Sequence, residues 1–433
     1  MKRSIIIAIG CFLLTACTGK APPPSVCDIA ASAAPLCRKE RSSERISEAV
    51  SFTFFVDATD SMRGYVLPGA GTSAYQEMLR TLQDAVTQFN QFSDRTYKFG
   101  NQAPVPVERR LHVAASSADF YRDVGGYTQV ETVLNDRFAP PAANRLTVVI
   151  TDLFQKDTDV TGLTRRLKTR YFAKGLAVGV VGIKSAFLGR VYDLDSRGST
   201  SDVRGSRPVY ALVVGTYANV AHYFDALKKG STALGRDGRF VIFTGQPFES
   251  RPDFFAGNPL LSERGGGLKS MGFLSGEPTY WFRLREATQS VGFKVCAAGR
   301  YRPYVVPFNA GGNWQSSVRL VDAEGRSRLL SLPRPVAVQS DPEACAPGNT
   351  EGLGFAVSLD VDGLREPGNY LYVLEYVPTL RNDPDWWDAW NTDDAVTQPL
   401  RTLRLRQFLR GLEATALATD RNQAVVMQFY VQK

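Results

Sequence analysis

The sequence predicts an α/β chain in two parts, a doubly wound domain over residues 48–232 and a mostly antiparallel β-sandwich with a helical insertion over 233–433. Three observations predict it. Val50 to Val56 and Leu146 to Thr151 are buried-strand runs, each followed by an acid, Asp57 and Asp152. Helical patterns alternate with strands as far as Lys229. From Phe240 onward short alternating strands and turn signals dominate instead.

The first residues precede the fold. Met1-Lys2-Arg3 is a positive n-region, and Ile5 to Leu14 is an apolar run too short to span a bilayer. The Leu14-Thr15-Ala16-Cys17 stretch resembles the lipobox of bacterial lipoproteins. The resemblance implies a signal peptide over 1–16, lipidation of Cys17 and, with Thr18 next, an outer-membrane lipoprotein facing the periplasm or the cell surface. An ordinary cleaved signal with an incidental cysteine is the plainer alternative. Residues 17–47 read as a tether, stiffened by Pro22-Pro23-Pro24.

Export frames the remaining cysteines. With Cys11 in the signal and Cys17 lipidated, Cys27, Cys37, Cys296 and Cys345 remain, an even number in an oxidising compartment. Proximity pairs Cys27 with Cys37 and Cys296 with Cys345, worth roughly 3 and 4 kcal/mol as upper estimates. Zinc is disfavoured, because no C-x-x-C pairs occur and the only histidines are His112 and His222. The formal charge is +8, or +6 without Lys2 and Arg3, and is interspersed. That argues against nucleic acid as a partner. The local run Arg165, Arg166, Lys168 and Arg170 fits the solvated face of a helix.

In chain order, Ser73 caps a helix that carries Met78, Leu79, Leu82, Val86 and Phe89 at helical spacing. Strands are expected at Thr96 to Gly100 and Arg109 to Ala115, the second holding His112 as a structural residue. Gly125-Gly126-Tyr127-Thr128 leads into a helical stretch ending at Phe138. A helix follows at Thr161 to Lys174, a strand at Leu176 to Ile183, and a polar surface loop at Gly189 to Ser206. Val209 to Val214 reads as a strand and Tyr217 to Lys229 as a helix, with His222 at a packing position. In the second part, Asp383 to Asp394 is a Trp/Asp-rich insertion, and Leu400 to Leu417 an amphipathic helix. Trp386, Trp387 and Trp390 there read as cover for the edge of a core rather than a carbohydrate or protein grip. Ala424 to Val431 would close the sheet. Gly265-Gly266-Gly267 lacks the lysine and hydroxyl of a phosphate loop and reads as a connector.

Three loops carry the chemistry: Asp57-x-Thr59-x-Ser61, Thr128 after its glycine pair, and Asp152. Open α/β sheets bind ligands beyond the carboxyl ends of their strands. Hydroxyls and carboxylates are hard oxygen donors, suited to Mg²⁺ or Mn²⁺. The order and spacing of the loops resemble the von Willebrand factor type A domain, a Rossmann-like fold with a metal-ion-dependent adhesion site. The resemblance covers about residues 48–232. It implies that Thr59, Ser61 and Thr128 ligate the cation directly, while Asp57 and Asp152 act through water or from behind. The cation's open position would accept a carboxylate from a protein or peptide partner. The chain departs from the family pattern at Thr59 in place of serine, and at Asp60 and Leu153 in place of glycines.

Two alternatives stand beside this reading. Asp57-Ala58-Thr59-Asp60-Ser61 also resembles the nucleophile motif of haloacid-dehalogenase-like phosphotransferases. That resemblance makes Asp57 the attacking carboxylate and Thr151 the phosphate-binding hydroxyl, with Mg²⁺ neutralising phosphoryl oxygens. Lys184 ends a strand, but no downstream acidic pair accompanies it. In the other alternative Asp57 and Asp152 only cap loops, in a metal-free structural envelope lipoprotein.

Overall fold

The computed structural model describes residues 45–433 apart from 68–72, 154–156, 193, 195–197, 250–259, 262–267, 274–279, 285–289, 298–299, 308–312, 323–325, 333–335, 346–352, 378–382 and 420–425. The signal, Cys17, Cys27, Cys37 and Gly265 to Gly267 lie outside the described residues. The chain is a mixed α/β structure built on several open sheets.

The first sheet has seven strands: β1 (Ala49–Asp57), β2 (Gln91–Phe99), β3 (Val105–Val107), β4 (Arg145–Thr151), β5 (Ala177–Val191), β6 (Ser201–Gly215) and β7 (Arg239–Phe243). Their order is β3-β2-β1-β4-β6-β5-β7. Central β1 runs parallel to both β2 and β4, and the other pairings are antiparallel. Burial on both faces explains why β1 is a near-continuous apolar run.

The helices are α1 (Asp60–Arg63), α2 (Ala74–Asp84), α3 (Leu111–Ala114), α4 (Asp157–Arg170), α5 (Tyr217–Gly230), α6 (Thr232–Asp237), α7 (Asp385–Trp390) and α8 (Leu405–Thr419). Ser73 caps α2 as expected, its hydroxyl accepting from the Gln76 N–H. On one face of the sheet, Phe52, Phe54 and Val56 pack among Met78, Leu79 and Leu82 of α2 and Val220, Tyr223 and Phe224 of α5. On the other, Phe55, Val149 and Leu212 meet Leu163 and Leu167 of α4, then Trp387 and Trp390 of α7 and Leu409 and Leu412 of α8. The tryptophans are therefore core, Trp387 fully buried. The α/β sheet draws β7 and much of one face's cover from beyond residue 232.

Four local expectations are corrected. Half of the stretch 189–206 is strand: residues 189–191 and 201–206 belong to one long β5–β6 hairpin, held near its tip by the directly opposed Arg190 and Asp202 with two hydrogen bonds of 3.0 Å. β6 also runs antiparallel to β4, so the doubly wound pattern covers only the middle of the sheet. Residues 128–138 hold a single 3₁₀ turn, Val130–Thr132. The Asn135 side chain accepts from the N–H groups of Arg137 and Phe138, and this local turn replaces the helix. The stretch 109–115 forms α3 rather than a strand, and it buries Leu111.

Beyond β7, two more sheets enclose one shared core that includes Phe282, Phe293, Phe355, Tyr372 and Phe429. The six-stranded sheet places Val426–Gln432 between Asn369–Val377 and Tyr280–Leu284, antiparallel to the first and parallel to the second. Cys296 and Cys345 form the expected disulfide. Among the described residues, no helix is long and apolar enough to cross a membrane.

Candidate functional site

Because β1 lies between β2 and β4, the loops leaving β1 and β4 and the loop 125–128 converge at the carboxyl end of β1. The Gly125 backbone has φ +96°, and a Cβ there would overlap the Asn101 side chain, so this turn requires glycine. It delivers Thr128 to Asp57.

Asp57 is the hub. Its Oδ1 accepts from the Thr59 N–H at 3.1 Å and the Thr59 hydroxyl at 2.7 Å. Its Oδ2 accepts from the hydroxyls of Thr128 at 2.6 Å and Thr151 at 2.9 Å. Thr59 occupies the N-cap of α1 yet makes no capping bond, because its hydroxyl is turned to Asp57. Burial, followed by the neighbouring Asp152 charge, pushes the Asp57 carboxyl up to about 6, while the bonds from Thr128 and Thr59 pull it back.

These bonds fix what the hydroxyls offer outward. The Thr59 and Thr128 oxygens stand 3.3 Å apart, and Ser61 Oγ lies 3.2 Å from Thr59 Oγ1. Thr59 and Thr128 have one hydroxyl hydrogen each, and the shortest contact assigns both to Asp57. No hydrogen remains between them, so their lone pairs face one space. Those spacings are close to the ~3.0 Å edge of an octahedron with ~2.1 Å metal–oxygen distances. Two edges of the hydroxyl triad thus have the spacing that a small hard cation requires, with Asp57 behind Thr59 and Thr128. Among the described residues no group of three or more His, Cys, Asp or Glu side chains is placed to hold a metal. The donor set here is mainly hydroxyl.

Asp152 is fully buried and bound elsewhere. Its Oδ2 accepts from Arg207 Nη1 at 2.8 Å, and the guanidinium lies 5.2 Å from the Phe187 ring centroid. Leu153, where the resembled family has glycine, keeps a backbone that suits glycine, with φ +52°. Its N–H donates to the Thr151 hydroxyl, and its side chain is buried in the α4 face of the core.

The structure thus brings Asp57, Thr59, Ser61 and Thr128 together and sets Asp152 beside them on an internal ion pair. The metal reading missed Thr151 and Arg207. Thr151 was visible as a hydroxyl at the end of an apolar strand, one residue before an acid. Arg207 had no signal, because it adjoins a stretch whose Gly/Ser/Arg composition reads as solvent-exposed. The geometry gives the phosphotransferase reading little: Asp57 carries four hydrogen bonds and no exposed surface, and Lys184 lies over the Trp390 ring. No family model matches the sequence, and no curated protein matches it.

Proposed function

We propose that the α/β part is a von Willebrand type A-like domain, followed by a β-sandwich, and that the chain is a lipid-anchored envelope protein which binds a protein partner through Mg²⁺ or Mn²⁺. Thr59, Ser61 and Thr128 would hold the cation, with Asp57 behind them and Asp152 balanced by Arg207. The cation supplies an electrophilic position for a partner's carboxylate. Two carboxylates against one guanidinium leave a single net negative charge, which a divalent ion reverses to positive. The observation that carries this reading is the Thr59–Thr128 pair, two lone-pair donors 3.3 Å apart with both hydrogens committed to Asp57.

The test is calorimetric titration of the chain from Thr18 onward with Mg²⁺ and Mn²⁺, beside Ser61→Ala and Thr128→Val. Saturable one-to-one binding that both variants lose is expected. An unmodified chain that takes up neither ion refutes the reading. It would favour the metal-free structural role, for which the Asp152–Arg207 pair already supplies charge balance.

A further inference from the structure

One face of α4 bears on what the partner offers. Leu163 and Leu167 point into the core. Arg165, Arg166, Thr169 and Arg170 fall within about 140° of helical arc on another side. They line an open groove of about 630 Å³ whose far wall is Gln129 and Glu131. Gln129 directly follows Thr128 in the chain, so one wall of the groove belongs to the same loop as a member of the hydroxyl triad.

Two of the arginines are held in place. Arg166 Nη1 donates to the Glu131 carbonyl at 3.0 Å. Arg170 pairs with Asp136 at 2.6 Å. Arg165 is exposed, and its side chain has no ion-pair partner among the described residues. With Glu131 in the lining and Asp136 on Arg170, three guanidiniums meet two carboxylates, which leaves the groove a net charge of +1. Fixed guanidiniums favour carboxylates through forked, charge-assisted hydrogen bonds.

We infer that this groove docks an acidic segment of the partner protein, one carboxylate reaching the hydroxyl site and neighbouring Asp or Glu side chains meeting Arg165 and Arg166. The inference rests on the proposed function and names the partner's chemistry.

The probe is a fluorescein-labelled peptide of alternating Asp and Gly, followed by anisotropy on the chain from Thr18 in Mg²⁺. Arg165→Glu, at an exposed position, and Arg166→Gln are each expected to weaken binding about tenfold, with circular dichroism unchanged. Affinity within twofold of the unmodified chain in both variants overturns the groove. So does displacement of the peptide by single-stranded DNA at equal charge, which marks a general polyanion patch, and so does absence of peptide binding. If Ser61→Ala or chelator abolishes binding while the arginine variants do not, the metal site stands and the groove falls. If the arginine variants weaken binding and chelator has no effect, the groove stands and the metal reading falls.

Discussion

Two buried carboxylates end adjacent parallel strands, and their partners give them different work. Asp57 is surrounded by hydroxyls and an amide, which leave its charge in place and orient lone pairs outward. Asp152 faces a guanidinium as buried as itself. Desolvating such a pair costs several kcal/mol per ion, so its net contribution is small while both members are present. Arg207→Met removes only the cation and is expected to destabilise the chain by about 3–5 kcal/mol, read from urea midpoints. Arg207→Met with Asp152→Asn should recover a large part of that loss. A single variant as stable as the parent would mean that the pair does not hold the strand ends. Leu153 next door carries a similar balance. A left-handed backbone costs a leucine roughly 1–2 kcal/mol, and burial of its side chain returns about 1.5–3 kcal/mol. The glycine conformation therefore survives without the glycine.

At the scale of elements, α8 tucks Leu409, Leu412 and Ala416 onto the α/β sheet, with Glu413 nearly buried among them. Asp383 gathers Arg406 at 2.6 Å and Arg410 at 2.8 Å nearby. Burial, then the Asp383 charge, raises the Glu413 carboxyl to about 7, with Arg410 opposing. The folded chain thus holds this proton more tightly than the unfolded one. Its stabilising contribution is complete below about 4.5 and is lost as pH rises towards 7. Glu413→Gln should flatten that part of the curve of unfolding free energy against pH, by at most about 3 kcal/mol. Parallel curves for the two proteins would contradict it. The amphipathic stripe of α8 was legible in the sequence, as were β1, β4 and the capped α2, because each buries a periodic apolar face. The Asp57–Thr59–Ser61–Thr128 cluster was legible too, since short loops leaving adjacent strand ends must meet. The β5–β6 hairpin was not, because Gly, Ser and Arg fill a ribbon whose strands are fixed by cross-strand pairing. Nor was the covering of the sheet by α7 and α8. An apolar helix face states that it will be buried, without stating against what.

For the whole molecule, that packing links distant parts of the sequence. A fragment of residues 45–245 keeps all seven strands but loses α7 and α8, uncovering Tyr210 and Phe243, which pack on Trp390 and Trp387. It should associate on size-exclusion chromatography and lack a cooperative thermal transition, whereas a monomeric, cooperatively melting fragment would show that the helices are dispensable. The six-stranded sheet has a consequence of another kind. Val426–Gln432 follows every other strand of that sheet in sequence, yet two strands lie to one side of it and three to the other. A chain emerging from its N-terminus therefore holds two part-sheets with bare edges until this segment arrives to join them. During that interval a neighbouring nascent chain can offer the missing strand, so the order of emergence makes strand exchange between copies the natural failure of assembly.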